Sequence, residues 1–203
     1  MNRRGLSLLE TLLAVSITAV IGVAISALMA AATNSLSSKD DGRRTAIRLA
    51  TTQIRLGAYI APSLCVLHKS SNHITLWFED SRTSSTVHAS EIRWITFDSE
   101  AKTLSVKFVD FPEYWSQSMV DEADFECNLL TDYASVLSTF ESSEYITTVP
   151  LVDSIETCNF WLNQVNPVEA TRVSVRFSLT SEFGVTKDSM IDESIRLHVT
   201  PIQ

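Results

Sequence analysis

The chain has 203 residues, a formal net charge of −8 and a 45% share of hydrophobic side chains. That length accommodates one globular domain plus a separate segment. An acidic balance argues against nucleic-acid binding, which wants a basic patch, and against docking on anionic lipid headgroups.

The first 38 residues are set apart from everything after them. Arg3 and Arg4 precede Gly5, Glu10 follows, and no charged side chain occurs from Thr11 to Ser38. A helix rises about 1.5 Å per residue, so some 20 apolar residues cross a hydrocarbon core of about 30 Å. A secretory signal has an apolar core of roughly 7–15 residues. This run is longer, and it predicts a retained transmembrane helix. Arg3 and Arg4 favour a cytoplasmic N-terminus, but Lys39, Arg43, Arg44, Arg48 and Arg55 follow the run, so charge counting alone leaves the orientation open. Glu10 is the anomaly, because a carboxylate beside hydrocarbon is costly and calls for either a partner or an escape to the interface.

The order Arg-Arg-Gly, then Leu6-Ser7-Leu8-Leu9-Glu10, then Thr11-Leu12-Leu13-Ala14-Val15 resembles the leader and N-terminal segment of type IV pilins and type II secretion pseudopilins. The family usually opens its mature chain with Phe or Met, where this chain has Leu6. The resemblance implies cleavage between Gly5 and Leu6 by a prepilin peptidase, and methylation of the new N-terminus at Leu6. It implies that Glu10 pairs with the free amine of a neighbouring subunit during assembly, which suits lipid, where a charge needs an opposite charge beside it. It further implies an inner-membrane protein with a single span, the N-terminus cytoplasmic and the head periplasmic. Its partners are other pilin or pseudopilin subunits and an inner-membrane assembly platform.

Small residues, Gly22, Ala24, Ala27 and Ala30 to Ala32, favour close packing of this helix with relatives. Ser37 to Gly42 predicts a break. Residues 39–60 then read as the amphipathic continuation of the helix, from Arg43 on with Ile47, Ala50 and Ile54 on the apolar face and the arginines on a solvated one, ended by Gly57 and Pro62. This is the half that a pilin-like helix embeds in its head. Residues 61–203 then form the head. Asn72–Glu79, Glu91–Asp98 and Leu104–Val109 alternate as strands of an antiparallel sheet with one wet face, and Asp98 to Lys102 makes a hairpin turn.

Residues 111–150 read as an insertion of undetermined role. They hold an aromatic cluster at Phe111 to Trp115, an acidic loop at Asp121 to Glu126 and a short helix within Leu129–Phe140. The acids lack the glycine and ligand order of a calcium loop, and are read as solvated. Strands return at Asp153–Leu162, Thr171–Leu179 and Ser194–Val199, with a turn at Phe183-Gly184. This order resembles the head of J-type minor pseudopilins and large minor pilins. It implies an α+β pilin-like fold and a minor subunit that initiates or caps a filament.

Cys65, Cys127 and Cys158 show no zinc spacing. In a periplasmic head a disulfide is allowed, and Cys127 with Cys158 is the favoured pair, against three separate thiols. No catalytic motif is present, and neither His68, His73, His88 nor His198 has ligand spacing. The four tryptophans read as core or sheet-packing aromatics. The chain is therefore expected to be a structural subunit, with no catalytic residue, metal or cofactor. The competing class is a membrane-tethered periplasmic enzyme or binding module behind a pilin-like leader.

Overall fold

A computed structural model describes residues 8–82, 84–128, 130–180 and 186–202, with side chains at 12–31 and from 43 onward. It forms two compact units, 1–44 and 45–203. The first helix, α1, runs from Leu8 to Ile60. The break expected at Ser37 to Gly42 does not occur. An internal glycine costs a helix about 1 kcal/mol, whereas a break leaves eight backbone groups to be satisfied at two new ends.

In the second unit the helix buries Thr45, Thr52, Leu56 and Ile60, with Leu49 half-buried. This corrects the predicted apolar face: Ile47 and Ile54 are 58% and 74% exposed. Both stripes have helical spacing, and the choice between them falls to the one that continues through Leu56 into Ile60. Thr52 is tolerated inside because its hydroxyl donates to the Arg48 carbonyl at 2.7 Å.

Among the described residues the head contains β1 (Cys65–Lys69), β2 (His73–Trp77), β3 (Val87–His88), β4 (Ile92–Asp98), β5 (Thr103–Val109), α2 (Gln117–Ala123), β6 (Glu126–Cys127), α3 (Tyr133–Ser142), β7 (Ile146–Val152), β8 (Ile155–Leu162), β9 (Arg172–Thr180) and β10 (Thr186–Ser194). They pair as a five-stranded sheet β1-β2-β4-β5-β7, a three-stranded sheet β10-β9-β8 and the short pair β3-β6. All these pairings are antiparallel. The β4–β5 turn works as its sequence implies: the Asp98 carboxylate accepts from the backbone N–H of Glu100 and of Ala101, both at 2.9 Å, and Lys102 takes a left-handed φ of 53°. The strand expected at Ser194–Val199 ends at its first residue. The segment beyond bends at Arg196 and Leu197, and its Arg196 and Val199 amides donate to the carbonyls of Ala61 and Leu64.

The main core lies where α1 meets both larger sheets, with Ile74, Leu76, Ile95, Val106, Phe160, Val175 and Phe177 around Leu56 and Ile60. The five-stranded sheet does not have the simple wet face expected of it. Trp77 and Trp94 on its other side are fully buried in a second core with Tyr133, Val136 and Phe140 of α3. The 111–150 region thus covers the sheet and also supplies its edge strand β7. The sequence shows this in the bulk at alternate positions, Trp77, Ile92 and Trp94, on the side opposite Ile74, Leu76 and Ile95.

Two carboxylates pin this second layer. Glu91 is fully buried and accepts from Trp77 Nε1 (3.1 Å), Ser81 Oγ (2.9 Å), the Arg82 amide (3.1 Å) and the His88 amide (3.1 Å). Asp124, 3% exposed, accepts from the Ser90 amide and hydroxyl at 2.8 and 2.7 Å and pairs with Arg82. The acidic loop is therefore not simply solvated: Asp121 and Asp124 both hold Arg82.

Candidate membrane-embedding helix

Leu12–Ala31 is long and apolar enough to cross a membrane, with a mean hydropathy of 2.4 over 20 residues and none of that stretch buried. Leu12, Leu13, Val15, Ile17, Val20, Ile21, Val23, Ile25, Leu28 and Met29 all stand exposed. Consecutive helical positions turn by about 100°, so these side chains surround the helix rather than forming one stripe, the pattern of a helix immersed in an apolar medium.

Its polar groups close upon themselves. The hydroxyls of Ser16, Thr18 and Ser26 donate to the carbonyls of Leu12, Ala14 and Gly22, four residues back, at 2.8, 2.8 and 2.9 Å. In hydrocarbon every polar group needs such an internal partner. Gly22 has open space where a Cβ would stand, leaving its backbone free for close approach by another helix. Transfer of ten large aliphatic side chains into an apolar phase, at about 1.5–3 kcal/mol each, is worth on the order of 20 kcal/mol. Glu10 lies on α1, two residues before this stretch; its side chain is outside the described residues, as are Gly5 and Leu6.

The arginines after the apolar run are not one solvated face. Arg48 donates to the Asp153 carbonyl at 2.7 Å and also pairs with the Asp153 carboxylate. Arg55 donates to the Leu151 carbonyl at 3.0 Å. Seven residues apart on α1, they hold the C-terminal end of the edge strand β7 and the residue just beyond it, where a strand edge offers carbonyls to partners. The i, i+7 spacing was the available signal in the sequence.

The favoured disulfide between Cys127 and Cys158 is not formed. All three cysteines are free and buried. Cys158 lies in the main core and Cys127 in the second, together with Cys65. Burial pushes each thiol up to about 12; at Cys127 the nearby Asp124 and Glu126 add to it.

Of the tryptophans, Trp77 and Trp94 are core, while Trp161 is 44% exposed. The rings of His68 and His73 meet at a tilt, 5.4 Å between centroids, and His198 contacts the Val168 carbonyl at 2.8 Å. Among the described residues no three His, Cys, Asp or Glu side chains form a group fit to hold a metal ion. An open groove of about 760 Å³ runs between α3 and the five-stranded sheet. Its lysine, Lys107, is paired with Glu141 at 2.6 Å, and its Thr96 and Ser105 hydroxyls bond to each other at 3.2 Å, so these groups answer one another rather than a ligand. Compared with protein-family models, curated proteins and solved structures, the chain finds no match in any of the three.

Proposed function

We propose that this chain is a minor pilin or pseudopilin: a structural subunit trimmed after Gly5 by a prepilin peptidase, methylated at Leu6 and built into a type IV pilus or type II secretion pseudopilus. The observation that carries the reading is the helix Leu12–Ala31, apolar on every side with its hydroxyls internally bonded, beginning just after Glu10 in a sequence of prepilin pattern. The α+β architecture, an N-terminal apolar helix with an antiparallel sheet, is compatible with a pilin-like head.

Before assembly the helix holds the protein in the inner membrane, with the N-terminus cytoplasmic and the head periplasmic. During assembly the carboxylate of Glu10 meets the liberated amine of a neighbouring copy or relative. Lipid makes that pairing strong, because neither charge has water to compete for it. Exposed Ile47 and Ile54 extend the surface available to adjacent helices. A place at the filament tip or in the initiation complex fits a minor subunit.

The role of Glu10 is tested by in-cell crosslinking of the tagged chain in the cells that make it. Glu10→Ala should be trimmed and inserted like the parent yet lose most of its crosslinked adducts. Adducts of unchanged size and yield would remove the assembly role.

A further inference from the structure

The segment from Asp110 to Glu144 contains nine acidic residues and neither lysine nor arginine. The whole chain carries −8, so this one segment holds all the excess negative charge and the rest is nearly balanced. Arg82 answers two of these acids, Asp121 and Asp124, and Lys107 answers Glu141; within the segment α2 buries none of its residues and is tied to the head through Asp121.

The helix is flanked by aromatic side chains that continue from the second core out to the surface. Trp115 stacks on Phe111 at 5.6 Å and meets Tyr145 at 5.0 Å. Phe111 meets Phe140 at 6.1 Å, and Phe125 stacks on Phe140 at 5.7 Å. At the outer margin Tyr114, Met119 and Phe125 are 84%, 47% and 41% exposed. Glu113, Glu122 and Glu126, in the same stretch of chain, are exposed as well.

Isolated exposed apolar residues are ordinary, but a connected aromatic shelf beside a helix that buries no side chain marks an interaction surface. The rim decides what covers it. Desolvating a neutral partner here would strand carboxylates, whereas a positively charged one answers them. Aromatic faces also attract guanidinium and ammonium groups.

We propose that residues 111–126 form a docking surface for a cationic segment of another protein, its Arg and Lys side chains lying over Tyr114 and Phe125 between the exposed glutamates. This does not depend on the filament reading, because the surface belongs to the head and requires no assembly.

The test uses the full chain in nonionic detergent, with a fluorescent nona-arginine peptide as probe and anisotropy as readout. Glu113→Lys with Glu122→Lys should weaken binding about tenfold or more, and Glu113→Gln with Glu122→Gln by a smaller factor. Glu100→Lys with Glu169→Lys, the same charge change at exposed sites elsewhere, should change it less than about twofold. Tyr114→Ser with Phe125→Ser, at constant charge, should weaken it about fivefold. Unchanged melting temperatures establish that each variant is folded. Equal losses from the two lysine pairs, or no loss from the aromatic pair, would overturn the proposal. So would a dimer in sedimentation without peptide that Glu113→Lys with Glu122→Lys abolishes, since the occupant would then be a second copy.

Discussion

Glu91→Gln tests whether the second layer of the head hangs on one buried acceptor. All four partners of Glu91 are donors, two at each oxygen: Trp77 Nε1 and the His88 amide at Oε2, Ser81 Oγ and the Arg82 amide at Oε1. A glutamine turns one oxygen into an NH2 group that must face a pair of donors. The less costly orientation points it at Ser81, whose hydroxyl can rotate and accept, and leaves the Arg82 amide without its acceptor. An unsatisfied buried group costs about 1–3 kcal/mol, and the remaining bonds lose their charge assistance. The sum is about 3 kcal/mol, or roughly 6–12 °C in Tm for a domain of this size. Thermal unfolding followed by tryptophan fluorescence suits the purpose because Trp77 is part of the network. Glu100→Gln, at an exposed position, serves as the control. A Glu91→Gln shift no larger than that of the control would refute the reasoning.

Further predictions concern protons, thiols and the helix. Burial holds the pKa of His73 below its ordinary 6.5, the neighbouring His68 lowers it further, and Asp132 opposes both. The unfolded chain therefore takes up this proton first. The contribution is complete above about pH 6.5 and is lost as pH falls toward the lowered value; His73→Gln should flatten that part of the stability–pH curve, and an unchanged curve would contradict the assignment. With their thiols raised to about 12, Cys65, Cys127 and Cys158 should resist a maleimide at pH 8 in the native protein and react on unfolding, as counted by mass; immediate labelling would show that they are not buried thiols. Gly57→Ala should raise Tm or leave it unchanged, since alanine favours the helix interior by about 1 kcal/mol and the new Cβ, 3.3 Å from the Glu193 carboxylate, meets only the movable end of a side chain. A fall of several degrees would mean that Glu193 is fixed there.

The apolar helix and most strands were legible because each writes its period locally: twenty uncharged residues for the helix, strict alternation for β5 and β9. What the sequence concealed depends on tertiary competition. Two stripes of α1 have helical spacing, and only contact with the sheets selects Thr45, Thr52, Leu56 and Ile60 over Ile47 and Ile54. Strand β7 lay hidden inside the apparent insertion because Pro150 and its threonines mute the alternation, and its pairing with β5 is formed across residues 110–145. The last strand was misplaced because Ile195, Leu197 and Val199 alternate as well as a strand does. Asp124 looked like any surface acid until Ser90 and Arg82 came to it from distant parts of the chain. At the N-terminus, the features argued for Glu10 and the leader are written in residue order, and their test is chemical.

That test is the mass and N-terminal sequence of the mature protein, isolated from membranes of cells that process their own prepilins. The account predicts a chain that lacks residues 1–5 and begins at Leu6 with a methylated amine, and it predicts that Gly5→Ala prevents the loss. A mature protein still beginning at Met1, or cut at a site downstream of the apolar helix, would contradict it.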